Sequence, residues 1–169
     1  MYKLLRFTAV LALVFYITAC NSNEEKNSEP VQKAEVAVDL PNFTVVNAEG
    51  TKMNIHDLKG KKVFVNLWAT WCPPCRNELP SIQSLYNSTD REKSEFVMLS
   101  LDENFQSAVF YTSQEKFSFP IFHPAQNLPE LFNVRGIPVT FIFDEAGNLM
   151  HRRDGSDNYD TDAYRELLN

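Results

Sequence analysis

The chain is short of the residues on which several function classes depend. With 3 cysteines in 169 residues it cannot be a disulfide-stapled miniature scaffold, and a four-cysteine zinc site is arithmetically excluded. Five glycines, none clustered, leave no glycine-rich loop to cradle a phosphate. Cations are in the minority: 16 Lys and Arg against 22 Asp and Glu give a formal net charge of −6, which argues against a nucleic-acid backbone as partner. The longest apolar run falls short of the roughly 20 residues that a bilayer-crossing helix needs. What remains is an ordinary globular composition, 44% hydrophobic, 12% aromatic and 22% charged, at a length that fits one domain with an appended segment.

That segment is N-terminal. Lys3 and Arg6 precede an uncharged run from Phe7 to Ala19, the basic head and short apolar middle of a secretion signal. Ile17-Thr-Ala-Cys20 resembles the lipobox of bacterial lipoproteins, in which cleavage precedes a cysteine that carries a diacylglyceryl group. Residues 1–19 are therefore expected to be a lipoprotein signal peptide, with Cys20 the lipidated first residue of the mature protein. The competing reading is a simple secretion signal with an incidental cysteine. From Asn21 to about Lys33 the chain is Asn, Ser, Glu, Lys and Pro with little to bury, so 20–38 reads as a flexible tether and 39–169 as the folded domain.

Within the domain, Asn42–Val46 and Lys52–Ile55 flank Glu49-Gly50 as an opening hairpin. Val63–Trp68 is a nearly continuous apolar run, the pattern of a strand covered on both faces. Arg76–Tyr86 carries Leu79, Ile82, Leu85 and Tyr86 at helical spacing and is expected to kink at Pro80. Phe96–Leu101 reads as a strand, Asn104–Lys116 as a helix, Phe119–Phe122 as a short extended segment and Leu128–Phe132 as one or two helical turns. Val139–Phe143 and Leu149–Arg153 form a hairpin around the turn Asp144–Asn148, and Asp162–Leu168 closes the domain with a helix. Strands alternating with helices, then a terminal hairpin, imply an α/β layer around a mixed sheet.

The chemistry lies in Trp68-Ala-Thr-Trp-Cys-Pro-Pro-Cys-Arg-Asn-Glu-Leu-Pro80, which sets two cysteines where a buried strand ends and a helix begins. Two intervening residues on the first helical turn bring the sulfurs within bonding reach. Cys72 also faces the unpaired N–H groups and the positive end of the helix dipole, which favour thiolate over a thiol of ordinary pKa about 8.5. Cys72 is thus the expected nucleophile and Cys75 its partner. Pro73 and Pro74 lack N–H groups, so fewer donors reach the Cys72 sulfur. A c-type haem site needs His after the second cysteine, where this chain has Arg76. Zinc would have to draw on His56, His123 and His151, whose spacing matches no finger pattern. A purely structural disulfide closing so small a loop adds little stability by chain entropy.

Trp71-Cys-Pro-Pro-Cys75 after an apolar strand resembles the thioredoxin-fold active site, and the longer motif resembles the TlpA and ResA type of extracytoplasmic thioredoxins, over roughly Leu40–Asn169. The resemblance implies a thioredoxin-like fold: a central mixed β-sheet flanked by helices, with an N-terminal β-hairpin and a central strand–helix insertion. Gly136-Ile-Pro-Val-Thr-Phe141 is similar to the family's cis-proline loop, implying a cis bond before Pro138 and the Ile137 backbone beside Cys72. Trp71, Pro73, Pro74, Ile137 and Pro138 are then expected to border the substrate. Glu78 matches a glutamate that the family places near its cysteines; without the resemblance it is a helix-start acid favoured by the dipole. Asn66 stands where cytoplasmic thioredoxins carry a buried aspartate, which leaves Glu78 or water to serve Cys75 as proton acceptor. Trp68 and His123 read as structural.

The resulting expectation is a lipid-anchored thiol–disulfide oxidoreductase of the bacterial cell envelope that reduces protein disulfides. It would need no bound cofactor and no metal, act as a monomer, and be re-reduced by an integral-membrane electron donor. Apocytochromes awaiting haem are among the substrates the resemblance implies, alongside general envelope redox homeostasis. Two alternatives are a thioredoxin-fold peroxidase and a non-catalytic envelope binding or sensor module. The peroxidatic pattern Pro-x-x-x-Thr-x-x-Cys is missing at both Cys72 and Cys75. The anchor yields the first test: Cys20→Ala should abolish lipid labelling and membrane retention while leaving reductase activity in vitro intact, and unchanged acyl labelling would refute it.

Overall fold

The computed structural model describes residues 38–169; the expected signal peptide, Cys20 and nearly all of the tether lie outside the described residues. Seven strands form one sheet: β1 (Thr44–Asn47), β2 (Lys52–Asn54), β3 (Lys62–Trp68), β4 (Ser94–Ser100), β5 (Ile121–Pro124), β6 (Val139–Phe143) and β7 (Leu149–Asp154). Their order is β2-β1-β5-β4-β3-β6-β7. β3, β4 and β5 run parallel, connected by α1 (Pro73–Ser88) and α2 (Phe105–Glu115); the β1–β2 hairpin and the β6–β7 hairpin join antiparallel on the two sides. Helix α3 (Asp162–Leu168) ends the chain.

Pleating of the central strand divides the core. Val63, Val65 and Leu67 of β3 enter one cluster with Phe43, Ile55, Phe132, Phe141 and Phe143. Phe64 and Trp68 point the other way, into a cluster built by Leu79, Ile82 and Leu85 of α1, Ala108 of α2 and Leu168 of α3. The three α-helices of the described residues thus cover one face. The opposite face is closed by Leu40 and Phe43 of the segment before β1 and by two short 3-10 turns, Ile55–Leu58 and Glu130–Phe132.

Several boundaries differ from the sequence expectation for identifiable reasons. β2 stops at Asn54 rather than including Ile55, because the Asn54 side chain accepts from His56 N (3.1 Å) and caps a 3-10 turn. α1 starts at Pro73, three residues before the apolar periodicity does, because proline suits the first helical positions and Cys72 caps them. It also runs unbroken through Pro80 to Ser88. β5 is displaced to Ile121–Pro124, the register in which it meets both β1 and β4. α2 is bounded by Asn104, whose side chain accepts from Gln106 N, and by Lys116 at φ 60°.

Phe64 lies at the middle of the helix-side cluster, fully buried, stacked on Phe96 at 4.8 Å between ring centroids and edge-on to Tyr159 at 5.4 Å. Phe64→Ala should cost about 3–5 kcal/mol in urea denaturation, the range for emptying a packed aromatic site. A loss below about 1 kcal/mol would contradict this packing.

Candidate active site

The site is assembled where β3 gives way to α1. After Trp68 the chain turns through Ala69–Trp71, and this turn is held by the buried carboxylate of Asp102 just beyond β4. Asp102 accepts from Thr70 N at 3.2 and 3.1 Å, from Thr70 Oγ1 at 2.6 Å and from Ser100 Oγ at 2.8 Å. The Trp68 carbonyl accepts from Leu101 N at 2.8 Å, so the two parallel strands keep pairing up to the turn. The turn delivers Cys72 as the N-cap of α1.

Cys72 and Cys75 form a disulfide with their Cα atoms 5.3 Å apart. Cys72 is 4% exposed and Cys75 fully buried, so only the first sulfur borders the surface. The Cys72 Sγ accepts from Cys75 N at 3.2 Å. Arg76 N is already engaged with the Cys72 carbonyl (3.1 Å), and Pro73 and Pro74 have no N–H to offer. Opposite, the Ile137 carbonyl oxygen lies 3.7 Å from Cys72 Sγ. The Ile137–Pro138 peptide is cis.

A groove of about 570 Å³ opens beside Cys72, walled by Trp71, Pro73, Pro74, Leu128, Phe132 and Ile137. Trp71 is 65% exposed, a large apolar side chain left uncovered at the groove's rim. Pro138 is buried and lines a neighbouring cavity of about 590 Å³ on the other side of the loop 133–137. Trp68 is fully buried in the core. His123 places Nε2 3.0 Å from the Asp102 carbonyl and packs near Phe105, a structural position.

Glu78, one helical turn after Cys75, is 1% exposed. Alternation along β3 turns Asn66 toward the same side as Phe64 and Trp68, and Asn66 Nδ2 donates to Glu78 Oε1 at 2.8 Å and to Thr140 Oγ1 at 2.9 Å. Thr140 Oγ1 is hydrogen-bonded in turn to Tyr159 OH at 2.6 Å. The other carboxylate oxygen, Oε2, accepts from Asp157 N at 3.2 Å. Burial pushes the Glu78 carboxyl up from 4.5 to about 7, against the opposing pull of the hydrogen bonds from Asn66, Asp157 and Ser156. The site thus sets a redox-active cysteine pair, here disulfide-bonded, near the start of a helix that also carries a buried acid whose pKa is raised to about 7.

Sequence reasoning missed Asp102, Thr140, Tyr159 and Arg135. The last is an exposed cation on the groove wall next to Gly136. The first three belong to polar contacts between segments far apart in the chain, and no local spacing signals them. Arg135 precedes the Gly136–Phe141 motif directly but carries no signal of its own.

Residues 36–152 match the AhpC/TSA family. The chain is 32% identical over 122 residues to a thiol-disulfide oxidoreductase ResA of Bacillus thuringiensis, covering 72% of this chain and 70% of that one. Among solved structures it is similar to StoA from Bacillus subtilis, at a TM-score of 0.65 and 27% identity over 79% of this chain and 99% of that one. It is also similar to a thiol:disulfide interchange protein of Chlorobium tepidum described as DsbE, at a TM-score of 0.64 and 25% identity over 78% and 94% of the two chains. With a cysteine pair at the start of α1 on a thioredoxin-like sheet, the chain belongs to the AhpC/TSA family and is a thiol–disulfide oxidoreductase of the ResA, StoA and DsbE type.

Proposed function

We propose that the enzyme is a reductant of protein disulfides in the bacterial envelope, anchored through lipid on Cys20, with Cys72 as attacking thiolate and Cys75 as resolving thiol. The direction rests on what faces the Cys72 sulfur: one backbone N–H, from Cys75, and one carbonyl oxygen, from Ile137. A dithiol pair becomes strongly oxidising when its reduced form is stabilised. Here two prolines remove donors and a carbonyl dipole opposes negative charge, so the thiolate gains less than at a helix start with its full set of amides.

In the forward reaction Cys72 thiolate attacks one sulfur of a substrate disulfide; that S–S bond breaks and the departing substrate sulfur takes up a proton. Cys75 then loses its proton and attacks Cys72 Sγ, releasing the second substrate thiol and closing the Cys72–Cys75 bond, with two electrons transferred to the substrate. Asn66 carries no acidic proton to exchange, and Glu78, ionising near 7, serves as the acceptor for the Cys75 proton. Trp71, Pro73, Pro74 and Ile137 hold the substrate segment, which pairs with the Ile137 backbone as an added strand. Pro138 fixes that loop. The oxidised pair is reset by an integral-membrane electron donor, and no bound cofactor enters the cycle. Disulfide-bonded envelope proteins, apocytochromes included, are the substrate class that the ResA-type relationship supports.

Cys75→Ala should stop turnover and accumulate substrate joined to Cys72, seen as a mass shift that a reductant removes. Wild-type turnover with no adduct would overturn the assignment of Cys75.

Glu78→Gln should let Cys72 alkylate at lower pH, by removing a like charge, and slow the decay of a preformed mixed disulfide by at least about tenfold. Overlaid curves in both measurements would remove Glu78 from the mechanism. Glu78 also leaves a signature on the stability of the oxidised protein, in which neither cysteine titrates. Its carboxyl is raised from 4.5 to about 7 on folding, so between those values the folded state keeps a proton that the unfolded state releases. The resulting stabilisation is complete below pH 4.5 and lost as pH rises through about 7, on the order of 3 kcal/mol. Urea curves at pH 4.5 and 8 should therefore show wild type losing stability relative to Glu78→Gln, and parallel behaviour would refute the perturbed acid.

A further inference from the structure

We propose that Arg135 selects disulfide substrates that carry an acidic residue two positions from the attacked cysteine; this rests on the reductase reading above and adds the chemical class of its substrate segment. Among the described residues walling the groove, Arg135 is the one formally charged side chain; the others, Cys72 aside, are apolar or uncharged. Arg135 forms no ion pair with any described residue. The charged residues that share the second cavity with it already pair with each other: Arg152 donates to both carboxylate oxygens of Asp154 at 2.9 and 2.8 Å. In a chain of net charge −6, a cation with no ion pair among the described residues thus stands two residues before Ile137, whose carbonyl oxygen lies 3.7 Å from the reactive sulfur.

The position is informative because Arg135 lines both cavities, the groove beside Cys72 and the one bounded by Pro138, Arg152, Asp154 and Gly155. Arg135 sits in the bend that ends at Ile137, so a substrate segment paired with the Ile137 backbone has Arg135 beside one of its flanks in either cavity. In an extended segment alternate side chains share a face. With the substrate cysteine turned down onto Cys72, the second residues before and after it also face the enzyme, while the immediate neighbours point away. An acidic side chain at a second position meets the Arg135 guanidinium; a basic one meets like charge. An exposed pair of this kind changes rates and affinities by a few-fold, and it discriminates mainly by penalising the wrong sign.

The test uses the full chain, reduced beforehand, and blocked heptapeptides whose central cysteine is joined by a disulfide to the neutral thiol 2-mercaptopyridine. Attack of Cys72 on the peptide sulfur breaks that S–S bond and releases pyridine-2-thione; Cys75 then displaces the peptide thiol, and the enzyme dithiol supplies both electrons. The second-order rate of thione release at low salt is compared for Glu, Gln and Lys at either second position. Glu should exceed Lys by about fivefold, with Gln between, and the difference should shrink in high salt. The same charges placed next to the cysteine should discriminate far less. Arg135→Glu should invert the order. Equal rates for Glu and Lys at both second positions, or a preference that Arg135→Glu leaves untouched, would overturn the proposal while leaving the reductase reading standing. Failure to release thione from any peptide would overturn the reductase reading and this one with it.

Discussion

A helix that begins where a buried strand ends must leave its first amides without helical partners, and everything particular to this site follows from how those amides are used. β3 ends at Trp68 and α1 begins at Pro73, and the intervening turn is fixed by the Asp102 carboxylate. The residue that caps the helix is Cys72, so a sulfur stands where a serine or aspartate oxygen stands in an ordinary helix. Two prolines then reduce the available donors, and the one directed at the sulfur is Cys75 N–H. The same first turn that brings the cysteines together therefore also limits how far the thiolate is stabilised. Geometry and redox tendency are set by one local arrangement.

The buried acid acts in the opposite sense to the helix start. Glu78 reaches the interior because its position on α1 faces β3, where pleating turns Asn66 inward between Phe64 and Trp68. A carboxylate in such surroundings is destabilised by lost hydration more than Asn66 and the Asp157 amide repay, which is why its pKa climbs to about 7. An acid with an ordinary pKa would stay ionised throughout and be a poor base for a thiol of much higher pKa. Raised to about 7, the carboxyl suits the proton-acceptor role proposed above. Tyr159, whose hydroxyl is pushed further from ionisation by burial and by the Glu78 charge, stays protonated and completes the hydrogen-bond chain through Thr140 without competing for that proton.

Much of this was readable from local pattern. β6 at Val139–Phe143 and α3 at Asp162–Leu168 coincide with the expected bounds, because each is framed by its own signals: a turn at Asp144–Asn148 after the first, and Thr161 accepting from Tyr164 N at the start of the second. α2, expected over Asn104–Lys116, spans Phe105–Glu115 with those two residues as its caps. The 3-10 turn at Ile55–Leu58 was not, since its cap at Asn54 also receives Phe43 N from eleven residues upstream. The cysteine pair and Glu78 were visible as a motif. The Asp102 clamp, with its partners at Thr70 and Ser100, and the Asn66–Thr140–Tyr159 chain were invisible for the same physical reason: each depends on strand order, which brings β4 and β6 to either side of β3. Periodicity reports which face a residue occupies and is silent about its neighbour in the next strand.

The composition of the groove bears on how such an enzyme tells one disulfide from another. Apolar contact with Trp71, Pro73 and Phe132 is non-directional, and any extended segment with a bulky flank satisfies it. Strand addition along the Ile137 backbone is equally tolerant, since it reads peptide groups common to all sequences. Neither contribution distinguishes partners, although in the proposed binding mode both would hold a segment in place for attack by Cys72. Discrimination must come from a term whose sign depends on the substrate side chain, and within the groove wall that term is electrostatic. On the proposal made above, Arg135, the one formally charged side chain of the groove wall among the described residues, supplies it while leaving the chemistry at the sulfur unchanged, because its charge is met at the substrate's second positions rather than at the reacting atoms.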